Sequence, residues 1–157
     1  MKLFVRSALM LILLTSCSSN STSERQWPSV TVQSIDGVNI DSSAVFKGNT
    51  TVINLWSTTC VPCRVELPQL QKFATTHPEV DVIAVNLGDV PSSVRTFIDE
   101  IGLTMPVIID FEGRVSTALG ITSVPSTLVL SATGKVVSTH LGDITSDELA
   151  SLVETSS

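Results

Sequence analysis

The chain has 157 residues, 43% of them apolar, with three cysteines and a formal net charge of −6. That length suits one domain of ordinary size and is short for two. Three cysteines exclude a disulfide-stapled mini-protein, and the acidic balance argues against nucleic acid as a partner.

Residues 1–16 read as a signal segment. Lys2 and Arg6 are basic, and Ala8 to Leu14 is an apolar run far short of the roughly 20 residues that span a bilayer. Leu14-Thr15-Ser16-Cys17 resembles a bacterial lipobox, which implies cleavage before Cys17 and lipidation of that cysteine. An ordinary secretory signal leaving Cys17 free is the alternative. The polar run Ser18 to Ser23 reads as a flexible tether, so residues 17–26 are expected to link the anchor to a folded domain over 27–157.

Val30–Gln33 and Val38–Ile40, around Asp36-Gly37, predict a hairpin. Asp41-Ser42-Ser43 can cap a short helical turn reaching Phe46. Thr51–Trp56 is an apolar run that reads as a buried strand, followed by a Ser/Thr cluster and the Cys60-Val61-Pro62-Cys63 pair. A helix follows, closed near His77-Pro78, with Pro68 expected to kink it by removing the bond to the Arg64 carbonyl. Val80–Leu87 predicts a second buried strand, and Val94, Phe97, Ile98 and Ile101 mark the apolar stripe of a helix over 91–101 ended by Gly102. Val107–Ile109 is a short strand, 113–119 a short helix, and 126–130 with 136–140 a hairpin, its first strand expected at a sheet edge. Thr145 or Ser146, followed by Asp147 and Glu148, starts a final helix. Alternating strands and helices imply an α/β fold, a mixed sheet with helices on both faces.

The chemistry centres on the two cysteines. At a helix start, unpaired N–H groups and the helix dipole stabilise a thiolate on Cys60, while Cys63 falls further in and is expected to be buried. An inert structural disulfide, or half of a zinc site, are the competing readings. Zinc needs four ligands, and the other candidates, His77 and His140, have no ligand spacing. No metal and no cofactor are expected, and neither histidine is given a catalytic role.

Residues 27 to 154 resemble the TlpA/ResA branch of the thioredoxin superfamily, the tethered extracytoplasmic thiol–disulfide oxidoreductases. The resemblance rests on Asn54-Leu55-Trp56, Cys60-Val61-Pro62-Cys63, Glu66-Leu67-Pro68, Val85-Asn86, Pro106-Val107 before Asp110, Ser123-Val124-Pro125-Ser126-Thr127 and Thr133-Gly134-Lys135. Thr59 departs from it, since relatives commonly carry Trp there.

The resemblance implies a thioredoxin-like fold with an added N-terminal hairpin and a redox-active Cys60–Cys63 disulfide. Cys60 is the expected nucleophile and Cys63 the resolving thiol. Glu66, three residues after Cys63, is either a solvated surface glutamate or a proton carrier; the resemblance favours the carrier. Asn54 stands where thioredoxin itself has a buried Asp. Pro125 is implied to be cis and opposite the pair, with Val124 offering backbone hydrogen bonds to a bound partner. Trp56 either lines the site or packs in the core.

A thiol peroxidase would need Pro and Thr where Ile53 and Ser57 stand, and copper-delivery relatives use a CxxxC pair with a distant His. The TlpA/ResA resemblance implies reduction of partner disulfides, in apocytochrome c or oxidase-assembly proteins, and a reductant in an oxidising compartment needs recharging by a membrane dithiol donor. A disulfide-forming or isomerising oxidant is the alternative. The expected protein is a monomer, lipid-anchored to a bacterial membrane, on the periplasmic side where there are two. Ser18, rather than Asp, after Cys17 is compatible with outer-membrane sorting.

Overall fold

A computed structural model describes residues 25–156. The expected signal segment, Cys17 and most of the tether lie outside the described residues. Seven strands form one sheet: β1 (Thr31–Ser34), β2 (Asn39–Asp41), β3 (Thr51–Trp56), β4 (Asp81–Leu87), β5 (Val107–Asp110), β6 (Ser126–Leu130) and β7 (Val136–Leu141). Their order is β2-β1-β5-β4-β3-β6-β7. The β5-β4-β3 core is parallel, whereas β1, β2, β6 and β7 join antiparallel. Four helices connect them: α1 (Val61–Thr76), α2 (Pro91–Ile101), α3 (Arg114–Leu119) and α4 (Ser146–Glu154). Among the described residues no helix is long and apolar enough to cross a membrane.

Every residue of β3 is buried, as a strand covered on both faces requires. Its alternate residues enter two separate cores. Val52 and Trp56 join Cys63, Leu67, Leu70 and Phe73 of α1, Phe97 of α2 and Leu149 of α4. Ile53 and Leu55 join Val115 and Leu119 of α3 and Leu128 of β6, with Trp27 and Phe46 packed alongside. The sheet is thus covered by α1, α2 and α4 on one face and by α3 with the N-terminal segment on the other.

Sequence signals account for most of the boundaries. Asp41 caps the 3-10 turn Ser42–Val45 by accepting from the Ser43 N–H at 2.8 Å. Thr145 and Glu148 form a reciprocal capping box at the start of α4. Gly102 ends α2 with φ 66, a left-handed conformation that costs glycine nothing sterically.

Two expectations need correction. β6 is not an edge strand: it pairs with β3 on one side and β7 on the other, and all five of its residues are buried. The folded body begins before Trp27, because Gln26 bridges to Lys135 and the Val136 N–H donates to the Arg25 carbonyl at 2.8 Å. The Arg25 guanidinium also donates to the Leu119 carbonyl and to Thr139 Oγ1, both at 2.9 Å, tying the chain's entry to α3 and β7. The helix α1 runs from Val61 to Thr76 with Pro68 inside it. That residue is exposed, on the side where water can satisfy the carbonyl the proline leaves without a donor.

Candidate active site

β3 delivers the chain to the Ser57-Thr58-Thr59 turn at its C-terminal end, the end where open α/β sheets place their sites. The turn is held from two sides. The Cys60 N–H donates to the Ser57 carbonyl at 3.2 Å, and the Thr58 N–H donates to Asp89 Oδ2 at 2.7 Å. That carboxylate oxygen also accepts from Asn86 Nδ2 at 2.8 Å. Asp89 did not stand out in the sequence; a lone acid two residues before a proline carries no local signal of a partner 31 residues away.

Cys60 is the N-cap of α1, its Sγ accepting from the Cys63 N–H at 3.2 Å. Pro62 sits in the first turn, where no N–H is needed. Cys60 and Cys63 form a disulfide, with Cα atoms 5.3 Å apart. Their exposures differ: Cys60 is part-exposed, whereas Cys63 is 0% exposed. An incoming sulfur can therefore reach Cys60 and not Cys63. Val61 and Val65, 77% and 69% exposed, lie on α1 next to this opening. They form an apolar rim on the solvent face of α1, opposite the buried stripe of Cys63, Leu67, Leu70 and Phe73.

One turn beyond Cys63, Glu66 is 2% exposed. Its Oε1 accepts from Asn54 Nδ2 at 3.2 Å and from Thr127 Oγ1 at 3.3 Å, while Oε2 has no hydrogen-bond partner. Burial raises its pKa from an ordinary 4.5 to about 7. The hydrogen bonds from Asn54 and Thr127 oppose that rise, and the nearby Asp143 charge adds to it. The carboxyl is therefore poised to change protonation state near neutrality. Thr127 had no role in the sequence reading.

The Val124–Pro125 peptide is cis. Leu55 pairs with Ser126, so Pro125 lies level with Trp56 at the same end of the sheet as the cysteines. Its carbonyl accepts from the Gly142 N–H at 3.0 Å, which brings the β7–α4 loop to this end too. Val124 is part-buried, packed against both cores.

Trp56 does not line the site. It is 0% exposed, packed on Phe97 with ring centroids 4.9 Å apart, because its strand position points it beneath α1. Phe97 in turn carries the Arg64 guanidinium 4.5 Å from its ring centroid. His77 caps α1 and stacks on Phe73, and His140 Nε2 lies 3.0 Å from the Asp143 carbonyl oxygen. Among the described residues no group of three or more His, Cys, Asp and Glu side chains is placed to hold a metal ion.

A reachable sulfur at a helix N-cap, bonded to a sealed one beside a buried carboxyl, is the arrangement of a dithiol exchange centre. The Redoxin family matches residues 22–154. The chain belongs to this family. It is 30% identical over 125 residues to the thiol-disulfide oxidoreductase ResA of Halalkalibacterium halodurans, covering 78% of this chain and 70% of that protein. It is 32% identical over 119 residues to sporulation thiol-disulfide oxidoreductase A of Bacillus subtilis, covering 73% and 72%. The crystal structure of StoA from Bacillus subtilis superposes with a TM-score of 0.66 at 30% identity, over 79% of this chain and 98% of that one. This Redoxin protein is thus a thiol–disulfide oxidoreductase of the ResA/StoA type, with a thioredoxin-like fold and the CxxC pair Cys60–Cys63.

Proposed function

We propose that the protein is an extracytoplasmic, membrane-tethered reductant of protein disulfides. The observation that carries the proposed chemistry is the asymmetry of the pair: Cys60 is open at the N-cap, and Cys63 is sealed one turn from a buried glutamate. In the reduced protein the Cys60 thiolate attacks a partner disulfide, forming a mixed disulfide and releasing one partner thiol after it takes up a proton. Cys63 then gives its proton to the Glu66 carboxylate and attacks Cys60 Sγ. The second partner thiol leaves, two electrons have passed to the partner, and Cys60–Cys63 is oxidised. A membrane dithiol donor reverses the change. The backbone beside cis-Pro125, at Val124, is the proposed platform for the partner's extended chain, and the Val61/Val65 rim favours apolar residues near the partner's cysteine.

The proposed substrates are cysteine pairs of apocytochrome c or oxidase-assembly proteins, supported by the TlpA/ResA resemblance. The proposed anchor is lipid on Cys17, supported by the short apolar run and the Leu14–Cys17 motif. Intact mass of the membrane-extracted protein tests the anchor: loss of residues 1–16 with added acyl mass is expected, and a free Cys17 thiol contradicts it. For the exchange chemistry, Cys63→Ser should accumulate a Cys60-linked mixed disulfide with a protein disulfide substrate, and Cys60→Ser should form none. Turnover that persists in Cys60→Ser would overturn the assignment.

A further inference from the structure

Asn54 and Thr127 are direct partners across the β3–β6 pairing, and both are fully buried. Polar side chains facing each other inside a sheet cost free energy unless they are hydrogen-bonded, so each donor needs an acceptor. The Asn54 amide has two N–H groups. One goes to Thr127 Oγ1 at 3.0 Å and the other to Glu66 Oε1 at 3.2 Å. The Thr127 hydroxyl, already an acceptor, donates its single proton to the same Glu66 Oε1 at 3.3 Å. Two donated bonds therefore converge on one carboxyl oxygen. The other, Oε2, has no hydrogen-bond partner.

We infer that Asn54 and Thr127 are positioning residues for thiol–disulfide exchange: they hold Glu66 Oε1 as a double acceptor and leave Oε2 as the oxygen that carries the carboxyl proton. The inference rests on the proposed role of Glu66 as proton carrier and identifies what sets it. An oxygen whose lone pairs already accept two bonds is a poor proton site, and Oε2 is not engaged in this way. The same two donors stabilise the carboxylate once the proton has left. They offset the burial and the Asp143 charge that favour the protonated form. Asp143 acts on Glu66 from the β7–α4 loop, and Cys63 stands one turn before it on α1. Neither side chain donates to the carboxyl; the Ile144 backbone N–H of the same loop also favours the carboxylate, as a smaller influence than Asn54 or Thr127.

Thr127→Val and Thr127→Ser, made in the full oxidised protein, separate this role from packing. The Glu66 carboxyl is titrated by carbon NMR, and the pH–rate profile is recorded for reduction of Cys60–Cys63 by a small dithiol. Valine keeps the branched shape and removes the donor, so Glu66 should bind its proton about tenfold more tightly, with the rate profile displaced to higher pH. Serine restores the hydroxyl and should stay within about twofold of the parent protein. An unmoved Glu66 titration in Thr127→Val would overturn the inference, as would equal shifts in both variants. Asn54→Ala gives the same reading independently and should shift Glu66 in the same direction; a shift to lower pH contradicts the network. Failure of the underlying reading looks different. Glu66→Gln exchanging at the parent rate across the pH range would remove the proton-carrier role while the NMR titrations still test the positioning network.

Discussion

Glu66 concentrates the tension of this site in one side chain. Its carboxyl is sealed by α1 and the sheet, and the folded state binds its proton more tightly than the unfolded chain does. With a folded pKa of about 7 against an ordinary 4.5, the unfolded state carries fewer protons between those values. Stability therefore falls as pH rises from about 4.5 through about 7, by about 3 kcal/mol at full ionisation. Glu66→Gln keeps the shape and cannot ionise. Denaturant unfolding of the oxidised protein should show the parent losing this stability between pH 5 and 8 while the glutamine variant does not. Parallel stability curves would show that the carboxyl is not strained by burial.

At the scale of elements, the site depends on three pieces meeting at one end of the sheet: the β3–α1 turn, the start of β6, and the β7–α4 loop. α4 supports this from behind, its fully buried Leu149 entering the core that holds Cys63 and Leu67. Leu149→Ala should cost about 2–5 kcal/mol, read by denaturant unfolding, with Cys60 remaining at its helix cap; a cost near zero would mean that α4 does not brace α1. Much of this level was legible in the chain. The β3 run, the N-terminal hairpin, the Gly102 stop and the α4 capping box are local signals, and each element lies where its signal put it. The amphipathic stretch after the cysteines placed them at a helix start, and the family resemblance implied their redox-active disulfide. Three things were not legible, all for one physical reason. Trp56 beneath α1, β6 in the sheet interior and Asp89 on the Thr58 N–H are set by contacts between distant segments, which no local periodicity encodes. Asn54 showed this in part: its place before Trp56 was visible, but its partners, Glu66 and Thr127, came from α1 and β6.

At the scale of the whole molecule, the chain enters the body at the pole opposite the cysteines. Gln26 bridges to Lys135, beside the Leu130–Val136 and Thr51–Leu130 pairs, while Trp56 and Ser126 mark the other end. In the proposed tethered protein, an anchor at that pole turns Cys60 away from the attachment point and toward partners in the aqueous compartment. Such exchange requires that the Cys60–Cys63 pair cycle between disulfide and dithiol. A redox titration of the protein, followed by thiol alkylation and mass measurement, tests this most directly. Cys60–Cys63 is expected to titrate as one reversible two-electron couple, with a midpoint near thioredoxin's value of about −270 mV. A midpoint near −120 mV, the range of a strong oxidant, would contradict the reductant reading. A pair that does not titrate reversibly would contradict exchange chemistry altogether.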